Sequence, residues 1–557
     1  MRYFLSILLF LSSTITFPSY TSTGNYISYE SGLLTPSGAE NITFTFTGVT
    51  LENEIEDMID QRKKLFNSKL SQTITLEDFY NLLIALEQLY VMNGYFLTRF
   101  IVPAQTIEQN GKIRVIVFPG KIESVNYYGL DKRTSKPIRK YFDQVIGIKG
   151  LEYSIIEKTI TKSRELPGTS LVTTIKAGKE LGTSSLQLKS DHDLVDGYFS
   201  YDNGLSESAG KDQFTSYLSL NSPFGFGEKI YGSYVIDPEN NVDVPIDNKD
   251  ILKRTDYREA YLIGAKVPVL STDLFVFGSI NESSSEPKGL DKKGEFKSFN
   301  LGLDYQLKNS RLVKNNLLLD LQWNRDREHA LNASSDTFND EYHTLDLQYK
   351  TTNLSFLNSW SLQGTSSLKF GTPHYIKKTS DIKTRSRVGS TLNFIKWNSD
   401  INLSRRILED YNLRTRFKFQ KLISDRGLIG SEQIGITGPG QISGYTSGNM
   451  SGDQGYVLRS EIGRTFYPFT TNAMKDKSRS LLIEPYINLG IGATYYKRPA
   501  AGENTRTEVA SIGFGINLSI PLNTNNLQIN FEVAEADKST DGTSSSPVYL
   551  FSSTFIF

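Results

Sequence analysis

The C-terminal segment 549–557 places aromatic side chains on alternate positions. Tyr549, Phe551, Phe555 and Phe557 share one face of an extended segment. A water-soluble protein buries such a face, whereas a β-barrel that spans a membrane turns it toward lipid, with aromatics at the water boundary. This segment therefore predicts the closing strand of a membrane barrel.

A period of two continues through residues 191–557. In 317–324 Leu and Trp alternate with Asp, Gln and Asn, and in 411–419 one face carries Asn412 and the basic residues Arg414, Arg416 and Lys418. Segments of this kind number about 16, an even count that suits a closed antiparallel barrel. A barrel of that size is too wide for side chains to fill, so we expect the polar faces to line a wet lumen.

The N-terminus predicts export. Arg2 precedes an apolar run, Tyr3–Leu11, and small polar residues follow. This is the pattern of a signal peptide, which we assign to residues 1–22, with a linker over 23–41. The absence of Cys suits passage through an oxidising compartment. Equal counts of 61 basic and 61 acidic residues indicate no nucleic-acid partner.

Between the linker and the barrel, two β-α-α-β-β units are predicted, over residues 42–119 and 120–190. The predicted helices are Leu51–Leu65, Leu76–Met92, Ser135–Phe142 and Tyr153–Glu165. The fold class is thus a membrane β-barrel of 16 antiparallel strands preceded by two α+β domains. We expect an exposed strand edge in the first domain, formed by Leu97, Thr98, Arg99, Phe100, Ile101, Val102 and Pro103.

One connection in the barrel, residues 424–455, is much longer than a hairpin needs. It contains Gly438-Pro439-Gly440-Gln441-Ile442-Ser443-Gly444-Tyr445 and, after it, Ser451-Gly452-Asp453-Gln454-Gly455. With these motifs the chain resembles the outer-membrane transporters of two-partner secretion (TpsB), the haemolysin-activator and filamentous-haemagglutinin-transporter type. Gly94-Tyr95, Thr98-Arg99 and Pro103 also match the first polypeptide-transport-associated (POTRA) domain of that family, and Asp202-Asn203-Gly204 matches its first barrel strand.

The resemblance implies a function and a set of partners. A pore in the outer membrane of a Gram-negative bacterium would recognise an unfolded, haemagglutinin- or haemolysin-like exoprotein through periplasmic POTRA domains. It would translocate that exoprotein to the cell surface without nucleotide hydrolysis. Periplasmic chaperones and the barrel-assembly machinery would serve the chain itself, and Phe555 and Phe557 resemble the terminal signal that this machinery reads.

The resemblance also implies a loop that folds back into the lumen, with its tip at Ile442, Ser443, Gly444 and Tyr445. Ser443 stands where the family has an arginine, and Asn488 aligns with its acidic partner on the barrel wall. A Ser443–Asn488 hydrogen bond, which contributes about 1 kcal/mol, would hold the loop less firmly than an ion pair. We therefore expect higher basal conductance than in a Ser443→Arg/Asn488→Asp variant, unless Asn488 is misaligned. The family's N-terminal plug helix is expected to be absent.

No enzymatic constellation is recognisable. The four His lack metal-ligand spacing, and no nucleophile–base pair or nucleotide-binding loop occurs, so we predict a non-enzyme without metal or other cofactor. The basic stripe, Arg414, Arg416 and Lys418, either steers a substrate or simply lines a wet wall. Two other functions remain open, a barrel-assembly insertase of the same superfamily and a passive solute porin.

Overall fold

The computed structural model describes residues 33–107, 112–206, 210–237, 257–287, 292–330, 336–374, 385–468, 480–522, 524–539 and 542–557. The predicted signal peptide and most of the predicted linker lie outside these residues. In the described part, no helix is both long and apolar enough to cross a membrane.

The first N-terminal domain combines two helices with a three-stranded sheet and a two-stranded one. Its core is aromatic: Phe46, Phe79 and Tyr90 are fully buried. Thr75 and Asp78 form a capping box at the start of α2. The elements are β1 (Thr43–Thr45), β2 (Val49–Glu52), α1 (Ile59–Asn67), β3 (Thr73–Thr75), α2 (Leu76–Met92), β4 (Arg99–Ile101) and β5 (Ile113–Phe118). The two sheets are β2-β5-β4 and β1-β3.

The prediction of a helix over Leu51–Leu65 was wrong at its N-terminal end. Leu51 belongs to β2, which pairs in parallel with β5 and places Leu51 beside Val115. The α-helix begins only at Ile59, after a single 3₁₀ turn over Glu56–Met58. Pairing with a buried strand outweighed the local helical pattern.

The second N-terminal domain repeats the plan. Its elements are β6 (Lys121–Tyr128), α3 (Lys132–Phe142), α4 (Tyr153–Arg164), β7 (Thr169–Ala177) and β8 (Thr183–His192). The strand order is β6-β8-β7, so β7 is an edge strand, antiparallel to β8. In the first domain the order β2-β5-β4 likewise makes β4 an edge.

The remainder forms a closed barrel of 16 long antiparallel strands, with β28 as a short addition between the last two. The strands and the short loop strands are β9 (Val195–Asp202), β10 (Gln213–Asn221), β11 (Lys229–Ile236), β12 (Tyr257–Pro268), β13 (Leu274–Glu286), β14 (Lys292–Asn309), β15 (Val313–Ala330), β16 (Asp336–Phe356), β17 (Trp360–Pro373), β18 (Ser390–Thr391), β19 (Phe394–Arg406), β20 (Tyr411–Leu422), β21 (Gly427–Leu428), β22 (Ile434–Gly435), β23 (Ser451–Gly452), β24 (Gln454–Arg464), β25 (Leu482–Tyr495), β26 (Arg506–Leu522), β27 (Asn525–Lys538), β28 (Thr543–Ser544) and β29 (Val548–Ile556).

The barrel closes between β9 and β29 through five residue pairs, whereas β29 makes nine with β27. Phe555 stands opposite Phe199 on the outer face, and the Phe557 ring stacks on Phe199 with centroids 5.4 Å apart. Asn203 lengthens the seam, because its side chain donates to the carbonyl of Tyr549 and accepts from the N–H of Phe551. The terminal aromatics thus face outward at the point of closure.

The second N-terminal domain is fixed to one end of the barrel, called the near end below. Only Asp193 and Leu194 separate β8 from β9. Lys158 and Lys162 of α4 pair with Asp273 in the turn after β12, and Glu165 pairs with Lys314 at the start of β15. This domain therefore lies directly at the entrance to the lumen.

Candidate functional site

The long connection between β20 and β24 folds into the lumen from the far end. It leaves the wall after Leu422 and rejoins it at Gln454. A small apolar cluster holds it, formed by Ile434, Ile436, Ile442, Met450, Val457, Val509 and Ala536, with Tyr445 packed against it. Gly490 and Gly492 of β25 leave room for it, since a Cβ added to Gly490 would lie 3.0 Å from Ile442 Cδ1. This segment is called the lumen loop below.

The tip of the lumen loop ends on a charged pair in the wall. Ser443 is fully buried. Its hydroxyl donates to the Glu532 carboxylate of β27 and accepts from Arg459 of β24, with 2.7 Å between Arg459 Nη1 and Ser443 Oγ. Arg459 also donates to both Glu532 oxygens, at 3.2 and 2.8 Å. The tip residue is therefore bound by hydrogen bonds to two partners of opposite charge.

The predicted Ser443–Asn488 hydrogen bond was wrong, although Asn488 does lie at the tip. Asn488 is fully buried, and its Nδ2 donates to Glu532 Oε1 at 3.1 Å, so Asn488 and Ser443 share one acceptor. The expectation that the site lacks an ion pair was also wrong, because both charges come from the wall. A Ser443→Arg/Asn488→Asp variant would crowd an occupied site and would not restore a missing pair.

Close backbone contact also seats the tip. A Cβ added to Gly444 would lie 2.5 Å from both the Cβ and the backbone N of Ala536 in β27. On the opposite side, a Cβ added to Gly204 would lie 2.4 Å from Pro439, and the N–H of Ser447 donates to the Gly204 carbonyl at 2.9 Å. The Asp202-Asn203-Gly204 motif thus receives the loop at the end of β9.

A second attachment lies along the side of the loop at Glu432. Its carboxylate accepts from Lys369 at 2.9 Å, from Lys396 at 2.8 Å and from the Tyr342 hydroxyl at 2.9 Å. Glu432 is 4% exposed. Because the two lysines face one loop carboxylate, this attachment loses charge pairing when the loop moves.

A third attachment lies at the base, at Asp453 in the Ser-Gly-Asp-x-Gly motif. The buried carboxylate accepts from the N–H groups of Leu428 and Lys497, each at 2.9 Å. Arg387 stands 3.5 Å away and also pairs with Glu503 at 2.8 Å. Asp453 therefore ties the start of the loop to the segment after β25 and fixes where the loop turns inward.

The basic stripe faces the lumen, but its charges have partners. Arg414 pairs with Glu484 and Glu461, and Arg416 pairs with Asp400 at 2.6 Å. Lys418 donates to the Gly435 carbonyl of the loop at 3.0 Å and to Gln441 at 3.1 Å. The stripe thus lies in the barrel wall beside the lumen loop, and its cations are paired and not free.

The predicted docking edge in the first domain is shorter than expected. Only Arg99–Ile101 form strand β4. Leu97 is buried and packs with the core of the second domain, and Thr98 is buried beside it. Val102 and Pro103 follow the strand, so a partner can reach only part of the 97–103 segment.

Strand register brings together two histidines that the sequence leaves far apart. His343 Nε2 lies 2.7 Å from His374 Nδ1, and His374 Nε2 lies 3.7 Å from Glu341. Among the described residues, no cluster of three or more His, Cys, Asp or Glu side chains is arranged to hold a metal ion. The pair stands on the outer face of β16 and β17, away from the lumen loop.

Sequence reasoning missed Arg459 and Glu532 as partners of the loop, and it missed Glu432 as the loop's second attachment to the wall. The period of two does place Arg459 and Glu532 on lumen-facing positions, beside Val457 and Ala534. Which charges meet depends on the order and register of β24 to β27 in the wall, and alternation along single strands does not contain that information.

Comparison with known proteins identifies the family. Residues 182–518 match the family described as haemolysin secretion/activation protein ShlB/FhaC/HecB, and residues 44–120 match the ShlB-type POTRA domain. The heme/hemopexin transporter protein HuxB of Haemophilus influenzae is 20% identical over 86% of this chain and 82% of its own length. The hemolysin transporter protein HpmB of Proteus mirabilis is 21% identical over 84% of this chain and 77% of its own length.

A solved structure has the same fold. CdiB from Escherichia coli superposes with a TM-score of 0.71 at 17% identity, covering 95% of this chain and 93% of CdiB. With the family match and the 16-stranded barrel, the chain is an outer-membrane protein whose N-terminal domains lie in the periplasm. The near end of the barrel is thus its periplasmic end, and the chain belongs to the ShlB/FhaC/HecB family of two-partner secretion transporters.

Proposed function

We propose that this chain translocates one large unfolded exoprotein from the periplasm to the surface of a Gram-negative cell. The observation that carries the proposal is the lumen loop, which folds into the pore and rests at its tip on the Arg459–Glu532 pair. When the tip withdraws, that pair remains bonded in the wall. Displacement of the tip therefore leaves no unpaired buried charge. Breaking a buried ion pair would instead cost about 3–5 kcal/mol.

The exoprotein docks first on a free strand edge of the periplasmic domains. The edge predicted at 97–103 offers three strand residues, whereas β7 offers nine. Gly168 and Gly178 pair with Asp193 and Thr183 at the two ends of the β7–β8 ladder, so the odd-numbered residues between them direct their N–H and C=O groups away from β8. The Thr169 N–H bonds to Leu166 and the Leu171 carbonyl accepts from Arg164, so the open part of the edge is formed by Thr173, Ile175 and Ala177. An extended segment that adds to this edge gains a main-chain hydrogen-bond ladder. We therefore place the main docking surface on β7 and a smaller one on β4.

Folding of the emerged exoprotein drives transport, because no nucleotide-binding motif occurs in the chain. Periplasmic chaperones hold the exoprotein extended, and the barrel-assembly machinery inserts this chain through its terminal strand. The function is that of a pore and not of an enzyme. We take a haemolysin- or haemagglutinin-like exoprotein as the substrate class, the first by analogy with the hemolysin transporter HpmB.

Secretion tests the proposal. The chain is co-expressed with a large exoprotein encoded beside it, and the culture supernatant is assayed. We expect release only when this chain is present, and loss of release when residues 42–182 are deleted. A passive porin would keep its solute flux after that deletion, and an insertase would change the abundance of other barrels without releasing exoprotein.

A substitution at the β7 edge tests docking. Thr173→Pro removes one N–H at the free edge without breaking the β7–β8 ladder, because edge positions with free N–H groups tolerate proline. We expect reduced secretion from Thr173→Pro and normal secretion from the control Thr173→Val, which keeps the N–H. Normal secretion from both variants would contradict docking on β7 and would indicate that the exoprotein docks on the 97–103 edge.

A further inference from the structure

Three tyrosines form a row across the lumen wall at the periplasmic end of the barrel. Tyr198, Tyr217 and Tyr231 lie on the adjacent strands β9, β10 and β11. The rings of Tyr198 and Tyr217 are stacked, with centroids 5.2 Å apart and planes 16° apart, and Tyr231 follows 6.4 Å from Tyr217. Lys229 Nζ stands 5.7 Å from the Tyr217 centroid. These residues are called the tyrosine row below.

The tyrosine row faces the open part of the lumen. All three side chains are half-buried, and none of their hydroxyls has a hydrogen-bond partner among the described residues. The hydrogen bonds of the lumen loop go to β15, β16, β17, β19, β20, β24, β27, the segment before β18 and the segments after β9 and β25. None reaches the described residues of β10–β13. The row is therefore an aromatic surface in a lumen that is otherwise mostly polar.

One member of the row also has a structural role. Tyr231 covers Gly264 of β12, since a Cβ added to that glycine would lie 2.6 Å from the ring. An aromatic ring that shields a strand glycine stabilises a sheet by itself. Tyr198 and Tyr217 are directly opposite each other across β9 and β10, and they are the pair that the test changes.

The row begins where β7 begins. The N–H of Asp193 donates to the Gly168 carbonyl at 2.8 Å, and Asn221 at the end of β10 donates to the Asp193 carbonyl at 3.0 Å. Tyr198 lies five residues after Asp193 on the same wall. The end of the β7 edge nearest the barrel is thus continuous with the wall that carries the row.

We propose that the tyrosine row binds the aromatic side chains of an extended polypeptide as it enters the lumen. The inference rests on the proposed function and adds the first contact inside the pore. Aromatic rings of the passing chain stack on Tyr198 and Tyr217 in offset or edge-to-face geometry. Such contacts tolerate many sequences, because they need only a ring and not a fixed hydrogen-bond pattern. Their weakness lets the chain move on.

Single-channel recording with defined peptides tests the row without a secretion assay. The probes are two unstructured Gly/Ser peptides of equal length, one with three spaced Phe residues and one with Ala in their place, added from the periplasmic side of the full-length barrel. We expect the Phe peptide to dwell several-fold longer than the Ala peptide in the unaltered barrel. In Tyr198→Ala/Tyr217→Ala the dwell time of the Phe peptide should fall about fivefold or more, as loss of two ring contacts implies.

Two variants control the experiment. Tyr234→Ala/Tyr261→Ala removes a directly opposed tyrosine pair from the outer face of β11 and β12, and it should leave the dwell times unchanged. Tyr198→Phe/Tyr217→Phe keeps the rings and should retain the long dwell of the Phe peptide.

Equal dwell times for the two peptides in the unaltered barrel would refute aromatic binding by the tyrosine row. The proposed secretion function would not be affected by that result. A tyrosine-dependent block by maltohexaose, with no preference between peptides, would instead make the row a carbohydrate site. Failure of secretion in a barrel that still prefers the Phe peptide would contradict the proposed function alone.

Discussion

Replacing Ser443 by alanine isolates the contribution of one hydroxyl to closure of the pore. The hydroxyl is fully buried and bonds to both Arg459 and Glu532. Hydrogen bonds to charged groups contribute about 1.5–3 kcal/mol each. Because Arg459 and Glu532 stay bonded to each other, we take the value of a single such bond. Ser443→Ala should then shift the loop equilibrium toward the displaced state by about ten- to a hundredfold.

Because the chain contains no Cys, a single introduced thiol is the only site that a maleimide can label on it. Met450→Cys places a thiol on the buried side of the loop, in the apolar cluster that holds it, and a membrane-impermeant maleimide should label it only when the loop is displaced. We expect faster labelling with Ser443→Ala. As a control, Ser451→Ala removes a hydroxyl that donates to neutral Gln433 at 3.3 Å, and labelling should rise by at most about fivefold. Equal rates for the two serine variants would refute the assignment of the tip as a charged anchor.

Three further predictions concern the tip, the seam and the first domain. Gly444→Ala cannot seat its methyl group against Ala536, so Met450→Cys labelling and bilayer conductance should both exceed those of the unaltered tip; unchanged conductance would contradict the close contact. Deletion of Phe557 removes its stacking at the β9–β29 seam, so the folded barrel on unboiled gels should melt at a lower temperature, whereas an unchanged melting temperature would exclude a role in closure. Thr75→Ala should destabilise the first domain by about 1 kcal/mol in denaturant titrations. Bonds from the Thr75 N–H and then from its hydroxyl lower the pKa of Asp78, and alanine keeps only the first. The hydroxyl's contribution to the ionised carboxylate is present above the ordinary Asp pKa and lost as pH falls through the lowered one, so that part of the variant's deficit should shrink in acid.

The alternation along single strands predicted the barrel, because lipid and water select side chains independently at each position. Leu321 and Asp320 show this directly, since the first is 53% exposed on the outer face and the second is buried on the lumen face. The lumen loop was predictable from its length and motifs. Its partners were not, because Glu532 is 89 residues from Ser443 along the chain and comes near it only when β24, β25, β26 and β27 pair side by side in the wall. The start of α1 was mispredicted for the same kind of reason, a parallel pairing between β2 and β5.

The position of β7 also fixes a direction. β7 starts beside Asp193 at the barrel entrance and runs away from it, antiparallel to β8. Antiparallel pairing is slightly more stable per residue, so a guest strand would run the opposite way and point its C-terminal end at the lumen. The exoprotein would then enter the lumen as a hairpin. The part that follows the docked segment would pass first, while the N-terminal region stays bound in the periplasm.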